Sequence, residues 1–408
     1  MAKPATKSTA LWVVRRLRKA GFEALLAGGC VRDMLLGRRS YDYDVATDAT
    51  PTQVRRLFDH VLLVGAKFGV AMVIHRGRRV EVTTFRSDVS YSDGRRPDAV
   101  RYGSPREDAL RRDFTVNGMF YDPLDERVID CVGGREDLAR RVIRTIGSPD
   151  ERFAEDYLRM LRAVRFAVAL GFAIDADTAA AVRRHAPGIA SISGERVFEE
   201  LWKMLAAPSA GEALETLDEL RLAPQVLGEL FAASRPAWPV AVERVRFVAG
   251  RRDPALALAA LLCDLSPRDI RRVLRRWGAS NELRDALCWL AGRLDDWRRA
   301  AELPLCAFKR LMAHERFDDL RRLWRFEERR ATGGEARCRR IARRANAVPP
   351  DRVAPPPLLT GDDLKRLGMR QGPRLGRVLR RLYDAQLDEE IRTRNEAERL
   401  AERLIDEQ

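Results

Sequence analysis

The sequence predicts an α+β protein: a small mixed α/β head followed by an all-α neck, body and tail. Three observations predict it. Strand and helix periods alternate from Phe22 to Tyr121, strand signals stop after Pro149, and five prolines in Val348–Pro357 cut off a last helical stretch. In order, residues 9–20 place Leu11, Val14 and Leu17 against Arg15, Arg16 and Lys19, the pattern of an amphipathic helix. Short apolar runs at Ala24–Ala27, Asp42–Ala46, Val61–Leu63, Val70–His75 and Val80–Phe85 predict strands, with helices at Cys30–Leu36 and Thr52–Phe58 between them. Beyond Pro149, the segments Glu151–Leu170, Ala176–His185, Glu195–Leu205 and Gly211–Leu220 carry apolar residues at helical spacing. The expected divisions are a head at 1–150, a neck at 151–220, a basic body at 221–347 and a tail at 358–408.

Composition narrows the function classes. Of 408 residues, 75 are Lys or Arg and 60 Asp or Glu, a formal charge of +15, and only seven of the cations are Lys. Between Ser266 and Ala347 stand 22 basic and 12 acidic residues, so this stretch holds +10 of the total. A polyanionic partner suits such a surplus, and so does a codon bias toward Arg. With 46% hydrophobic residues, dominant disorder is excluded. No apolar run approaches the roughly 20 residues of a membrane span, which predicts a cytoplasmic protein. Six scattered cysteines and four histidines show no zinc-ligand spacing and are expected to be free thiols and isolated side chains.

The most informative stretch is Leu25–Thr50. A strand runs into Gly28 and Gly29 and then a helix, a geometry that lets backbone N–H groups approach a phosphate, with Arg32 in the first turn to add charge-assisted bonds. A tight structural turn asks for the same glycines. Asp42 and Asp44, two apart in a strand, would project from one face, and paired carboxylates are costly without a cation. A solvated strand end fits the same spacing. Glu81, in the next strong strand, offers a third carboxylate or is a plain surface position.

Taken together, GGCVRD (Gly28–Asp33), DYDVAT (Asp42–Thr47), VEVTTFR (Val80–Arg86) and RRDFTVNGM (Arg111–Met119) resemble the class II tRNA nucleotidyltransferases and bacterial poly(A) polymerases, in the DNA polymerase β-like superfamily. The resemblance implies a two-Mg²⁺ transfer of a nucleotidyl group from a nucleoside triphosphate to an RNA 3′-hydroxyl, releasing pyrophosphate. It implies Asp42 and Asp44 as metal ligands, with Glu81 as a further catalytic carboxylate. Gly28, Gly29 and Arg32 then contact the triphosphate, Arg112 binds the nucleotide, and Asp113 and Asn117 shape the ribose side.

The run EDYLRMLRAVRFA (Glu155–Ala167) adds a base reader. On one helix Asp156 and Arg159 would share a face as i and i+3, continued by Arg162 and Arg165. An ordinary ion pair is the plain alternative. In the family, an Asp and an Arg here imitate the edge of a complementary base. The carboxylate accepts from the amino group of C or A and the guanidinium donates to the neighbouring ring nitrogen, which excludes U and G. Arg162 and Arg165 would then serve phosphate or ribose.

Three segments bear on the subtype. Ser87–Asp108, poor in apolar residues, is expected to be a mobile loop of the length that CCA-adding members carry. Val64–Val73 is similar to the CCA-adding form, and Ile192–Leu205 and Leu358–Ile391 resemble the family's neck helix and RNA-binding tail. The resemblance thus points to addition of CCA, from CTP and ATP, to the tRNA 3′ end. A poly(A) polymerase, an A-adding transferase and an RNA-binding protein with an inactive transferase fold are the alternatives. Ala259–Leu265 (AALLCDL) has Cys263 where a His-Asp phosphohydrolase would place His, so no such activity is expected, and His314 is expected on a helix surface. Trp277, Trp289, Trp297 and Trp324 are expected in the core.

Overall fold

A computed structural model describes residues 3–63, 69–88, 100–233, 237–250 and 253–406. The chain divides into two units, Met1–Phe231 and Ala232–Gln408, so the expected head and neck lie in one unit.

The first unit is organised by one mixed sheet. Its elements begin β1 (Lys3–Pro4), α1 (Lys7–Lys19), β2 (Ala24–Ala27), α2 (Gly29–Leu35), β3 (Asp44–Thr47), α3 (Pro51–Leu57), β4 (Val61–Leu62), β5 (Val70–His75) and β6 (Arg78–Thr84). They continue with β7 (Arg86–Asp88), β8 (Val100–Tyr102), α4 (Pro105–Leu110), β9 (Phe120–Asp122), β10 (Arg127–Ile129), α5 (Gly134–Arg140) and β11 (Val142–Ile143). The strand order is β10-β9-β2-β3-β6-β5-β4, with β1 added to β6. β5 and β6 form a hairpin whose turn residues, Arg76 and Gly77, both have positive φ, as a two-residue turn matched to sheet twist requires. Side chains alternate across the sheet. Leu26, Val45 and Val82 enter the core with Val13, Val14 and Leu17 of α1, while Leu25, Ala27 and Ala46 pack with Phe85, Ala109 and Phe120 on the other face.

The sheet edge of β6 is shared. β3 pairs with it in parallel from Val45 beside Val82 to Thr47 beside Thr84, and β1 pairs with it in parallel at Lys3 beside Arg78 and Pro4 beside Arg79. β5 covers the opposite edge over the whole of Arg78 to Thr83. β3 therefore starts only at Asp44, and Asp42, expected within the strand, lies before it.

Helices follow: α6 (Pro149–Glu155), α7 (Leu158–Leu170), then β12 (Ala173–Ile174), α8 (Ala176–His185), α9 (Gly194–Leu205), α10 (Ala210–Glu219), α11 (Ala223–Val226) and α12 (Gly228–Ala233). The single helix expected over Glu151–Leu170 is broken. Asp156 is extended at φ −157° and ψ 103°, its carboxylate accepts the Leu158 N–H at 3.0 Å, and this side-chain bond competes with the helical one. The ring of Tyr157 lies where a Cβ on Gly188 would stand 2.5 Å away. A strand also appears after Pro149, since Gly171 ends α7 in the left-handed region and the chain turns back to pair β12 with β11. The mobile loop expected over Ser87–Asp108 is partly ordered. β7 and β8 pair antiparallel, and α4 is started by a Ser104 and Glu107 capping box with Pro105 in its first turn. Residues 89–99 of that loop, and residues 64–68 of the Val64–Val73 segment, lie outside the described residues.

The second unit is helical among its described residues: α13 (Ala237–Val248), α14 (Ala255–Leu262), α15 (Pro267–Arg276), α16 (Asn281–Ala291), α17 (Leu305–Met312), α18 (Phe317–Thr332), α19 (Ala336–Asn346), α20 (Gly361–Arg366), α21 (Pro373–Leu387) and α22 (Arg394–Asp406). Buried Arg244 ties three of its segments, donating to Asp264, the Ala260 carbonyl and Glu327. Trp277, Trp297 and Trp324 are buried. Trp289 instead stacks on His314 at 3.6 Å, so that histidine is a packing partner and not a bare surface residue. Part of the arginine surplus is structural, with Arg337 donating to the Arg298 carbonyl and Arg344 to those of Ala300, Ala301 and Leu303. The proline segment is docked on α21 through Tyr383 Oη and Gln386 Nε2, which donate to the Pro355 and Pro356 carbonyls. All six cysteines are free, and among the described residues no helix is long and apolar enough to cross a membrane.

Candidate active site

A cleft of about 480 Å³ opens in the first unit, between the β2, β3 and β6 strands and α7. Antiparallel pairing puts Ala27 beside Asp44, so the turn leaving β2 lies next to the first residue of β3. Gly28 has φ +71°, and a Cβ there would meet Arg112 Nη1 at 3.0 Å, so both backbone conformation and close approach require glycine. Gly29 then starts α2, and Arg32 in its first turn is held by Asn117 Oδ1 at 2.7 Å and by Asp33.

The strand wall is acidic. One residue before the Val45 and Val82 pair, Asp44 and Glu81 stand on adjacent parallel strands, and both line the cleft. Burial, then the carboxylates of Glu81 and Asp42, push the Asp44 carboxyl up to about 7, with Arg112 opposing them. Burial and Asp42 likewise raise Glu81, against Arg79. Asp42 itself does not line the cleft; it is held from behind by the N–H groups of Ala5 and Tyr43. Its carboxylate still bears on both neighbours. Hard oxygen donors crowded beyond what nearby cations offset fit a hard divalent cation that also takes substrate oxygens. Among the described residues no group of three or more His, Cys, Asp or Glu side chains is placed to hold a metal ion by itself, so these carboxylates are at most part of a ligand set.

The opposite wall is charge-matched. Arg162 forks onto Asp113 Oδ2 through Nε at 2.8 Å and Nη2 at 2.6 Å, and Asp113 also accepts from Phe114 N–H and Asn117 Nδ2. A chain of bonds thus runs Arg32, Asn117, Asp113, Arg162 across the cleft lining. Burial pushes the Asp113 carboxyl up, but Arg162 outweighs it and holds it below the ordinary value. Arg112 is clamped by buried Asp108 at 2.9 Å and its guanidinium lies 4.9 Å from the Phe120 ring centre. Asp156 accepts from Arg196 of α9 at 2.7 Å, and Arg159 donates to the Arg152 carbonyl and to Glu155.

Several expectations change. Asp156 and Arg159 line one cleft, but not as i and i+3 of one helix: Asp156 precedes α7 and pairs with Arg196, while Arg159 pairs with Glu155. Asp42 and Asp44 are not two positions of one strand. Arg165 does not line the cleft; it pairs with Glu200 at 2.6 Å and lies 4.1 Å from the Phe166 ring centre. Arg162 lines the cleft but is bound to Asp113. Asp113 and Asn117 position the two arginines on either side of them. Arg196, Glu200 and Asp108 were not singled out from sequence, although the spacing of Asp108 to Arg111 and Arg112, three and four residues, marks a helical ion-pair cluster.

Residues 24–144 match the poly A polymerase head domain and residues 171–234 the probable RNA and SrmB-binding site of polymerase A. The CCA-adding enzyme of Geobacillus kaustophilus (strain HTA426) is 44% identical over 301 residues, 72% of each chain. Poly(A) polymerase I of Salmonella typhi is 46% identical over 223 residues, 52% of this chain and 47% of that one. The crystal structure of the Bacillus stearothermophilus CCA-adding enzyme in complex with CTP superposes with a TM-score of 0.80 at 33% identity, covering 97% of both chains. With 44% identity maintained across 72% of a CCA-adding enzyme and the head-domain match spanning the strand wall of the cleft, the chain belongs to the class II tRNA nucleotidyltransferase and bacterial poly(A) polymerase family of nucleotidyl-transferring enzymes.

Proposed function

We propose that this chain adds CCA to the 3′ end of tRNA from CTP and ATP, without a nucleic-acid template, and does so in the cytoplasm. One observation carries the reading: Asp44 and Glu81 on one wall and Asp156 and Arg159 on the other line a single cleft of about 480 Å³. Family members use a divalent metal, and in this chain Asp42 and Asp44 would hold it as Mg²⁺. When bound, the cation neutralises the carboxylates and triphosphate and lowers the pKa of the attacking 3′-hydroxyl. Gly28, Gly29 and Arg32 receive the triphosphate, Glu81 adds a carboxylate beside the reacting end, and Arg112 faces the nucleotide from its Asp108 clamp.

The base is selected by the opposite wall. Asp156 has two of its four acceptor sites taken, by Leu158 N–H and Arg196, and the rest accept the amino group of C or A. Arg159 donates to the ring nitrogen beside it. UTP and GTP set a carbonyl against that carboxylate and leave it unpaired. Arg162, fixed by Asp113, and Arg165, fixed by Glu200, support this wall rather than hold phosphate. The head at 1–150 then carries the chemistry, the neck at 151–220 the base choice, and the body at 221–347 and tail at 358–408 the RNA.

The test offers tRNA ending before CCA, after C and after CC, with CTP and ATP together, and sequences the product ends; Asp42→Ala is the control. Completion to CCA from all three is expected. Extension from CC alone would indicate an A-adding enzyme, and an inactive wild-type chain would leave an RNA-binding protein. Long A tails on unrelated RNA would favour a poly(A) polymerase, the reading to which the 46% identity with the Salmonella enzyme gives weight.

A further inference from the structure

The residues before α1 have no part in the function described so far, yet they touch its catalytic wall. Carrying the β3 register backwards would seat Tyr41 and Asp42 beside Arg78 and Arg79 of β6. Lys3 and Pro4 already occupy those two places, and β5 fills the other edge. Asp42 is thereby kept out of the sheet. The displacing segment then holds it: the Ala5 N–H donates to Asp42 Oδ1 at 3.3 Å, joined by the Tyr43 N–H at 3.1 Å. Both bonds go to Oδ1, which leaves Oδ2 without a donor among the described residues.

The segment is anchored on both sides of that contact. Before Ala5, Lys3 N–H donates to the Gly77 carbonyl at 2.9 Å and Arg78 Nη1 to the Pro4 carbonyl at 3.1 Å. After it, Thr6 caps α1 by accepting the Thr9 N–H. Ala5 is 3% exposed, so its N–H has few chances to turn to water and the bond to the carboxylate satisfies it.

We propose that residues 3–6 are a positioning strap for the catalytic carboxylate Asp42, excluding it from strand β3 and presenting its free oxygen for a divalent cation. This rests on the reading of Asp42 as a metal ligand given above. Ala5 is a positioning residue through its backbone N–H, so its side chain can change and its hydrogen cannot.

The experiment measures Mn²⁺ binding to the full chain by electron paramagnetic resonance, alone and with CTP, for wild type, Ala5→Gly, Ala5→Pro and Asp42→Asn. CTP binding in EDTA and thermal unfolding are followed in parallel. Ala5→Pro, which lacks the N–H, is expected to weaken Mn²⁺ binding about tenfold or more, the order expected for one hydrogen bond to a charged group. Ala5→Gly, which keeps it, should bind within about twofold of wild type, with metal-free CTP binding unchanged in both. Should Ala5→Pro not fold, deletion of residues 2–6, which leaves no residue in the place of Ala5, removes the donor and is expected to weaken Mn²⁺ binding at least as much. Mn²⁺ binding unchanged in the variant lacking the donor, while Asp42→Asn loses it, overturns the strap alone. No loss in Asp42→Asn overturns the metal reading of Asp42 and the strap with it.

Discussion

The two walls of the cleft treat their carboxylates in opposite ways. On the strand wall Asp44 and Glu81 are pushed above their ordinary pKa values by burial and by neighbouring carboxylates, with Arg112 and Arg79 the cations that oppose them. On the helix wall Asp113 faces Arg162 and Asp156 faces Arg196, and outside the lining Glu200 faces Arg165 and Glu155 faces the lining Arg159. Asp113 and Glu200 accordingly lie below their ordinary values despite burial. The difference suits the two tasks proposed for the one site. An acidic wall short of cations attracts a metal and the charge that comes with it, whereas a wall whose charges are matched is held still and presents a fixed pattern of donors and acceptors.

The contrast is broken most severely at Asp44. Asp44→Asn should lower the rate of single-nucleotide addition by at least about 10³-fold, the loss of several kcal/mol of charge stabilisation, without lowering thermal stability in EDTA. A rate within tenfold of wild type would remove Asp44 from the chemistry. Next, Asp156→Ala should reduce discrimination of CTP and ATP against UTP and GTP by about 10- to 100-fold, the worth of one base-edge recognition, in a primer-extension assay with each triphosphate alone. Retained selectivity would locate base choice elsewhere on the wall.

Smaller effects sharpen the comparison. Asp113→Ala leaves Arg162 without its forked partner and should cost roughly 2 kcal/mol in urea unfolding, while Asp44→Asn costs nothing. The smallest concerns pH. The folded Asp44 carboxyl, pushed up to about 7, binds a proton more tightly than the ordinary carboxyl at 3.8 does, so its contribution is complete below about pH 4 and lost as pH rises through 7. In EDTA the wild-type chain should therefore lose stability relative to Asp44→Asn between pH 5 and pH 8, by about 1 kcal/mol once solvent screening at a partly exposed group is counted. Thermal unfolding of the two proteins across that range checks the sign; a difference that does not change with pH would mean that Asp44 is ionised throughout.

Much of the strand wall was legible in the sequence because its parts are local. Gly28 and Gly29 after an apolar run, and a carboxylate at the start of a β-branched strand, are patterns of a few residues, and Ala24–Ala27 and Val70–His75 form at the positions expected. The break at Asp156 was less legible, since Glu151–Leu170 carries an uninterrupted helical period. Only the side-chain bond to Leu158 N–H and the seating of Tyr157 against Gly188 end one helix and start another. The ion pairs of Arg162 and Arg165 were not legible for a related reason: a guanidinium free on a helical wheel has distant partners, Asp113 at 49 residues and Glu200 at 35, that no local spacing reveals.

By itself the sequence determined the α+β order, the residues whose chemistry suits metal, phosphate and base, and their order along the chain, because each depends on short periods and on side-chain chemistry. The tertiary structure decided which of those groups are left in want of a partner. Desolvation and ion pairing depend on what packs beside a group, so pairing across strands raised Asp44, helix packing matched Asp113, Asp156 and Glu200 with arginines, and two residues near the start of the chain kept Asp42 off the sheet.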